Sequence, residues 1–308
     1  MADAPRICMV GSCNIDLIAR VPRLPAPGET LVGTKFQMGF GGKGANQAVM
    51  AARLGAQVSV VAKVGRDIFG ENTLKNFKEQ GIDTTYFMFD DALFSGVAPI
   101  TVDDNTGQNS IIIVPGANDA LSPDDVRAAR SAIESAQVVI CQCEVPLAAT
   151  LEAFRIARAA GVMTIMNPAP AMPLPAELLA LTDLLAPNEV EAAMLTGLST
   201  TTDVEAEAAA RALQAQGPHV VLITLGSRGV MFVEGDAPPV YVAAERVQAV
   251  DSTGAGDSFV GSLAYCLAAG KPLADAARIA CAIATRSVLK TGTQTSFPYR
   301  SEVESLLT

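Results

Sequence analysis

Two glycine-rich stretches carry the residue types that chemistry on a phosphate needs. Gly39–Ala48, GFGGKGANQA, follows a strand-like segment and opens a helix predicted to run to about Leu54. Its clustered glycines let a backbone approach a ligand closely, and Lys43 and Asn46 add a cation and an amide at a helix N-terminus. Gly44, not Ser or Thr, follows Lys43, so this is no Walker A loop, and the G-x-G-x-x-G spacing is also missing. A plain strand-to-helix turn is the simpler reading, but three glycines, a Lys and an Asn within six residues weigh against it. The second stretch, Asp251–Phe259 (DSTGAGDSF), precedes a helix with an apolar stripe including Phe259, Leu263 and Leu267. Gly254, Ala255 and Gly256 can leave N–H groups free at the positive end of that helix, which makes an anion site. An acid in a first helical turn is also an ordinary stabilising feature, so Asp257 alone decides nothing. Beside an anion-binding turn, however, a carboxylate can accept the proton of an attacking hydroxyl while the N–H groups stabilise the group in transit. Together the two stretches point to phosphoryl transfer.

The elements that must position them alternate along the chain. Strands are predicted at Arg6–Gly11, Val58–Val64, Gln137–Cys143, Val162–Met166 and His219–Leu225. Helices are predicted at Lys43–Leu54, Pro123–Ser135, Leu147–Ala160 and Val204–Gln216. Such alternation means βαβ units and a mostly parallel sheet covered by helices on both faces. Two regions break the rhythm. Leu17–Phe40 has strand-like stretches around the turn Pro22–Gly28, and Ser95–Val114 reads as a hairpin of Gly96–Val102 and Ser110–Val114 around a polar loop. We expect them to form one small sheet, a discontinuous lid inserted from about residues 15–40 and 95–114 of a single α/β domain. An isolated hairpin is marginal, so the lid needs further strands or a partner subunit.

Composition narrows the classes further. Half of the 308 residues are hydrophobic, enough for a large core, and the formal net charge is −10. That balance argues against nucleic-acid or anionic-membrane partners, which need clustered Lys and Arg. The lone His219 excludes multi-histidine metal sites and disfavours a histidine-based triad. Cys8, Cys13, Cys141, Cys143, Cys266 and Cys281 match neither a disulfide scaffold nor a zinc ribbon, and Cys141 and Cys143 would share one strand face as small apolar residues. The start MADAPRICMV has an early acid and no apolar core, so no signal peptide is expected, and no apolar run reaches the roughly 18 residues of a membrane span. A cytoplasmic location is the expectation.

At its two glycine-rich stretches the chain resembles the ribokinase family of sugar and nucleoside kinases. The likeness runs through GSCNIDLI at Gly11–Ile18, GGKGANQA at Gly41–Ala48, VGRDIFGE at Val64–Glu71, NPAP at Asn167–Pro170, PNEVEAAMLTG at Pro187–Gly197, LGSRGV at Leu225–Val230 and DSTGAGDSF. The resemblance implies a Rossmann-like α/β domain with a small β-lid, a homodimer formed through that lid, and ATP-dependent phosphorylation of the primary hydroxyl of D-ribose with magnesium.

Carried over by motif, Asp257 would be the catalytic base and Gly254, Ala255 and Gly256 the anion hole. Asn14, Asp16, Gly42, Lys43, Asn46 and Glu144 would hold the sugar, and short amides and carboxylates suit hydroxyls that both donate and accept. Asp16 and Glu144 could also be strand-end surface acids. Glu144, however, stands where a strand ends before Pro146, the usual place for ligand groups in an open α/β sheet. Asn188 and Glu191 form the N-x-x-E element that the family uses around phosphate and magnesium, and a pure capping box would present the same pair. Thr224, Gly226 and Gly229 resemble the ATP-contacting turn, with Ser227 and Arg228 read as solvated. Cys281 stands where relatives often carry Asn or His near the adenine, and a thiol donates hydrogen bonds poorly. A potassium ion would be held by Asp251, Thr253, Ser287, Lys290, Gly292 and Ser296, mostly through carbonyls. His219 is expected at a strand start without a role.

Other readings stay open at this point. One is a kinase of the same family acting on deoxyribose, fructose or a nucleoside, and another is a catalytically silent sugar or nucleotide sensor. A nicotinamide-dependent oxidoreductase is disfavoured, because Gly11–Ser12–Cys13–Asn14 stands where its glycine fingerprint would follow the first strand.

Overall fold

The chain folds into one large sheet and one small one in the computed structural model, which describes residues 4–307. The first three residues of the start expected to hold no signal peptide, and residue 308, lie outside the described residues. The chain enters through β1 (Arg6–Val10), runs out along β2 (Asn14–Val21) and β3 (Lys35–Gly41), and returns through α1 (Lys43–Arg53), β4 (Gln57–Gly65), α2 (Ile68–Glu79) and β5 (Asp83–Asp90). It leaves again along β6 (Gly96–Asp103) and β7 (Asn109–Ile111). Then follow α3 (Pro123–Ala128), α4 (Arg130–Ser135), β8 (Val138–Cys141), α5 (Leu147–Ala159), β9 (Met163–Met166), α6 (Ala176–Ala180), β10 (Leu184–Leu185), α7 (Glu189–Thr196) and α8 (Asp203–Gln214). The last part holds β11 (Val220–Thr224), β12 (Val230–Glu234), β13 (Val240–Val242), α9 (Ala255–Ala268), α10 (Leu273–Ser287) and α11 (Arg300–Leu307).

Among the described residues nine strands pair in the order β13-β12-β11-β10-β9-β8-β1-β4-β5. Neighbours from β11 to β5 are parallel, and β12 and β13 close one edge antiparallel. The fold is therefore α/β and Rossmann-like, with two apolar layers set by the two-residue period of each strand. Ile7 and Met9 of β1 pack with α1, α2, α9, α10 and α11, whereas Cys8 and Val10 face the layer of α3 to α8. Val138 and Ile140 against Val139 and Cys141 in β8 repeat that split. Cys141 and Cys143 do share a face, and all six thiols are buried and unpaired.

The small sheet runs β3-β2-β6-β7, so two chain excursions supply it. β2 pairs antiparallel with β3 and parallel with β6. Phe36, Met38 and Ile111 of this sheet, with Val32 before β3 and Ile112 and Ile113 after β7, are apolar and exposed.

Two elements differ from expectation. The helix predicted over Pro123–Ser135 breaks at Ala129, whose φ of −90° and ψ of 10° close α3 and open α4. No glycine or proline marks that break. The strand expected over Ser110–Val114 ends at Ile111, because the next partner on β6 is Pro99, which has no N–H to return. Pairing resumes only as a single bridge between Val97 and Val114.

Candidate active site

The helix α9 starts at the carboxyl end of the sheet, capped by Gly254 at φ 77°, a left-handed backbone that suits glycine. No side chain caps this end, so the helix presents bare N–H groups and its positive pole. The Ala255 N–H turns back to the Ser252 carbonyl at 3.2 Å, which leaves the anion hole expected from three consecutive N–H groups partly engaged. Gly256 has open space where a side chain would stand. One turn in, Asp257 is buried at 8% exposure.

Both carboxylate oxygens of Asp257 are held. Asn46 Nδ2 donates to Oδ2 and Gln47 Nε2 to Oδ1, each at 2.9 Å. Each amide is itself oriented. Gln294 Nε2 donates to Asn46 Oδ1 at 3.0 Å, and Asn76 Nδ2 donates to Gln294 Oε1 at 2.9 Å. Gln142 Nε2 donates to Gln47 Oε1 at 2.7 Å, and Gln47 Nε2 also reaches Asn167 Oδ1 at 3.0 Å. A buried amide chain of this kind is stable only when nearly every member is satisfied, and it then fixes one arrangement.

A cavity of about 160 Å³ opens beside Asp257, lined by Lys43, Asn167, Asn188, Glu191, Thr224, Gly254 and Gly256 among others. Burial pulls the Lys43 ammonium down, but Asp257, Glu144 and Glu191 together outweigh it and hold the amine above its ordinary value. Glu191 is held above the usual carboxylate range, by burial first and then by Asp257, against the Asn188 N–H and Lys43. A cation brought in on a nucleotide's phosphates would relieve that penalty, so the residues fit a magnesium ion held indirectly. Among the described residues no group of three or more His, Cys, Asp or Glu could hold a metal by itself. Asn188 and Glu191 do form a reciprocal capping box, with both bonds at 2.8 Å, while also lining the cavity.

Of the expected sugar-holding residues, Asn14, Asp16, Gly42 and Glu144 lie around the junction of the small sheet with the start of α1. Asp16 on β2 lies over Gly41, where an added Cβ would stand 2.3 Å from Asp16 Oδ1. Burial, then Glu144 and then Asp257 push the Asp16 carboxyl up to about 6. Glu144 Oε2 accepts from Ser12 Oγ at 2.6 Å and from the Lys43 N–H at 3.0 Å, so it locks the start of α1 to the loop after β1. Gly42, at φ 84°, caps α1 with its Cβ position 2.6 Å from Asn14 N.

Other expected residues are less convergent. Gly226 and Gly229 form a tight turn after β11 but do not line the cavity, unlike Thr224. Arg228, read as solvated, instead bonds Glu189 at 2.8 Å and Asp203 at 3.1 Å, because both acids open helices beside that turn. Cys281 is buried on α10 and away from the cavity lining. His219 is exposed, one residue before β11. Asp251 accepts from the Thr253 N–H and the Gly292 N–H, both at 2.9 Å, which laces the two loops of the expected cation site. The Ser287 and Ser296 hydroxyls donate to nearby carbonyls, and Lys290 pairs with Glu302.

Residues 4–300 match the description pfkB family carbohydrate kinase. The chain belongs to that family. It is 45% identical to a ribokinase of Mus musculus over 98% of this chain and 94% of that protein. It is 40% identical to a deoxyribokinase of Salmonella typhi over 95% of each. Its fold also matches an Arabidopsis thaliana ribokinase solved with ribose and ATP, with a TM-score of 0.91, 33% identity and 99% coverage of both chains. For a family of kinases, the amide-held carboxylate beside an uncapped helix end is the feature of this site that suits phosphoryl transfer. Sequence reasoning did not single out Gln47, Gln142, Asn167, Asn76 and Gln294, although Gln47 and Asn167 stand inside the motifs GGKGANQA and NPAP.

Proposed function

We propose that this kinase transfers the terminal phosphoryl of ATP to the primary hydroxyl (O5) of D-ribose, giving ribose 5-phosphate. The observation that carries the reading is Asp257, held by Asn46 and Gln47 at the bare N-terminus of α9 and open to the cavity with Lys43. Asp257 takes the hydroxyl proton as the oxygen attacks, while the Gly254–Gly256 turn stabilises charge on the phosphoryl in flight. Lys43 offsets phosphate charge. Asn14, Asp16, Gly42, Asn46 and Glu144 hold the sugar, Asn188 and Thr224 border the nucleotide from the cavity wall, and Gly226, Gly229 and Cys281 border the part of it that extends beyond the cavity. Glu191 would hold, indirectly, a magnesium ion arriving with ATP, which would supply charge neutralisation and orientation of the phosphates.

Three further readings accompany this one. Asp251, Thr253, Ser287, Lys290, Gly292 and Ser296, on the laced loops, would hold potassium, which would order the turn that feeds Gly254. A homodimer forms through the small sheet, supported by the exposed Phe36, Met38 and Ile112. A cytoplasmic location is supported by six unpaired cysteines. Among the described residues no helix is long and apolar enough to cross a membrane.

Deoxyribose is the second substrate to weigh, given the Salmonella typhi relative. An ADP-release assay across ribose, deoxyribose, fructose and nucleosides, in potassium and again in sodium, tests the set. Turnover of nucleosides without ribose would overturn the substrate, and equal rates in both salts would remove the potassium site.

A further inference from the structure

Asn118 lies in the 3-10 turn Gly116–Ala120, where the chain comes back from the small sheet, and it is 1% exposed. Its side chain touches the entry to that sheet as well as the exit. Oδ1 accepts from the Cys13 N–H at 2.9 Å, and Nδ2 donates to the carbonyls of Cys13 at 3.0 Å and Pro115 at 2.9 Å. The two ends of an amide are nearly equal in shape, so their polarity follows from their partners. Here the partners are backbone groups that cannot exchange roles, so the Asn118 nitrogen is committed to one side.

On that side stands Asn14 Oδ1, at 2.8 Å the shortest of the three oxygens around Asn118 Nδ2, whose two hydrogens they share. That contact turns the Asn14 oxygen toward Asn118, and among the described residues its nitrogen has no hydrogen-bond partner, which leaves it for a ligand. Gly96 permits the meeting, because a Cβ there would stand 2.1 Å from Asn14 Oδ1 and 2.2 Å from Asn118 Nδ2.

We propose that Asn118 is a positioning residue for sugar recognition, fixing the Asn14 amide so that its nitrogen, a donor, rather than its oxygen is the end left for the substrate. The inference rests on the sugar placement proposed above. It gives that site a direction: Asn14 donates to a hydroxyl oxygen, while the ionised Asp16 two residues along β2 accepts a hydroxyl hydrogen. A vicinal diol answers both.

The test is a double-mutant cycle on the full-length enzyme with N118A, N14A and N14A/N118A, reading ribose KM, ATP KM, kcat and Tm. Freeing the Asn14 amide should raise ribose KM about tenfold, the scale of one hydrogen bond, with kcat and ATP KM within about twofold. Added to N14A, the same change should move ribose KM by less than about twofold. N118S repeats the measurement if N118A does not fold. An equal factor in both backgrounds, or a loss that falls on kcat or ATP KM, overturns the positioning role alone. An N14A enzyme with wild-type ribose KM overturns the sugar placement, and the proposal with it.

Discussion

Gln47 Nε2 donates to Asp257 Oδ1 at 2.9 Å across 210 residues of chain. Its neighbour Asn46 holds the other oxygen at the same distance, so two consecutive residues of α1 clamp one carboxylate on α9. A carboxylate offers about four lone-pair sites, so two neutral donors orient it and still leave it able to take a proton. Glycines bring the two helices close: a Cβ at Gly261 would stand 2.6 Å from the Gln47 carbonyl oxygen.

Asp257→Asn should lower kcat by roughly 10² to 10⁴ while ATP binding persists. The new amide also sets a donor against Asn46 or Gln47, costing about 1–3 kcal/mol of stability. Steady-state kinetics with a thermal melt separates the two effects, and near-normal turnover would remove Asp257 as the base.

Gln47→Leu keeps the bulk but strips partners from Asp257 Oδ1, Asn167 Oδ1 and Gln142 Nε2. We expect a stability loss of about 2 kcal/mol or more, from buried groups left unpaired. Turnover should drop about tenfold at unchanged ribose KM, since Gln47 acts on the orientation of the base. A KM defect with normal kcat would contradict that role.

Asp16 predicts a pH effect on sugar binding. Its folded value of about 6 lies above the ordinary one, through burial and then Glu144 and Asp257. The group's contribution to fold stability is thus present below pH about 4 and is lost as pH rises through about 6. Sugar hydroxyls donate best to the ionised form, so sugar binding expels the proton and works the opposite way. Ribose KM should rise about tenfold between pH 7.5 and pH 5, and Asp16→Asn should flatten that slope. A flat wild-type profile would rule out ionised Asp16 as the sugar's acceptor.

Phe36→Glu on β3 with Ile112→Glu just past β7 puts two charges on the exposed apolar patch at the small sheet, where those side chains are 63% and 62% exposed. Sedimentation should shift from dimer to monomer, with the melt hardly changed, because neither residue belongs to the core. A wild-type monomer would refute the dimer.

The sheet and its helices could be read from pattern alone, because β1, β4, β8 and β11 are short, mostly buried apolar runs and the helices between them carry regular apolar stripes. Ala129 could not, since nothing local distinguishes it from the helical residues around it. The candidate site divides in the same way. Lys43, Asn46 and Asp257 sit inside glycine-rich stretches whose local chemistry announces them. Gln294 and Asn76 are ordinary amides in sequence, and they join the network only because α2 and the segment after α10 pack beside α1. Asn118 is similar: its role depends on a return path that no spacing encodes. Long-range pairing of neutral groups leaves no periodic trace.

Among the residues lining the cavity, Lys43 is the only lysine or arginine, on a chain of net charge −10. Attraction for a nucleotide is thus confined to contact range, while the distant field of the protein opposes an approaching polyanion. Added salt screens that opposition within a Debye length of roughly 8–10 Å and barely touches the enclosed ammonium. Stopped-flow capture of ATP should accordingly quicken as ionic strength rises, the reverse of an enzyme that draws its nucleotide in from afar.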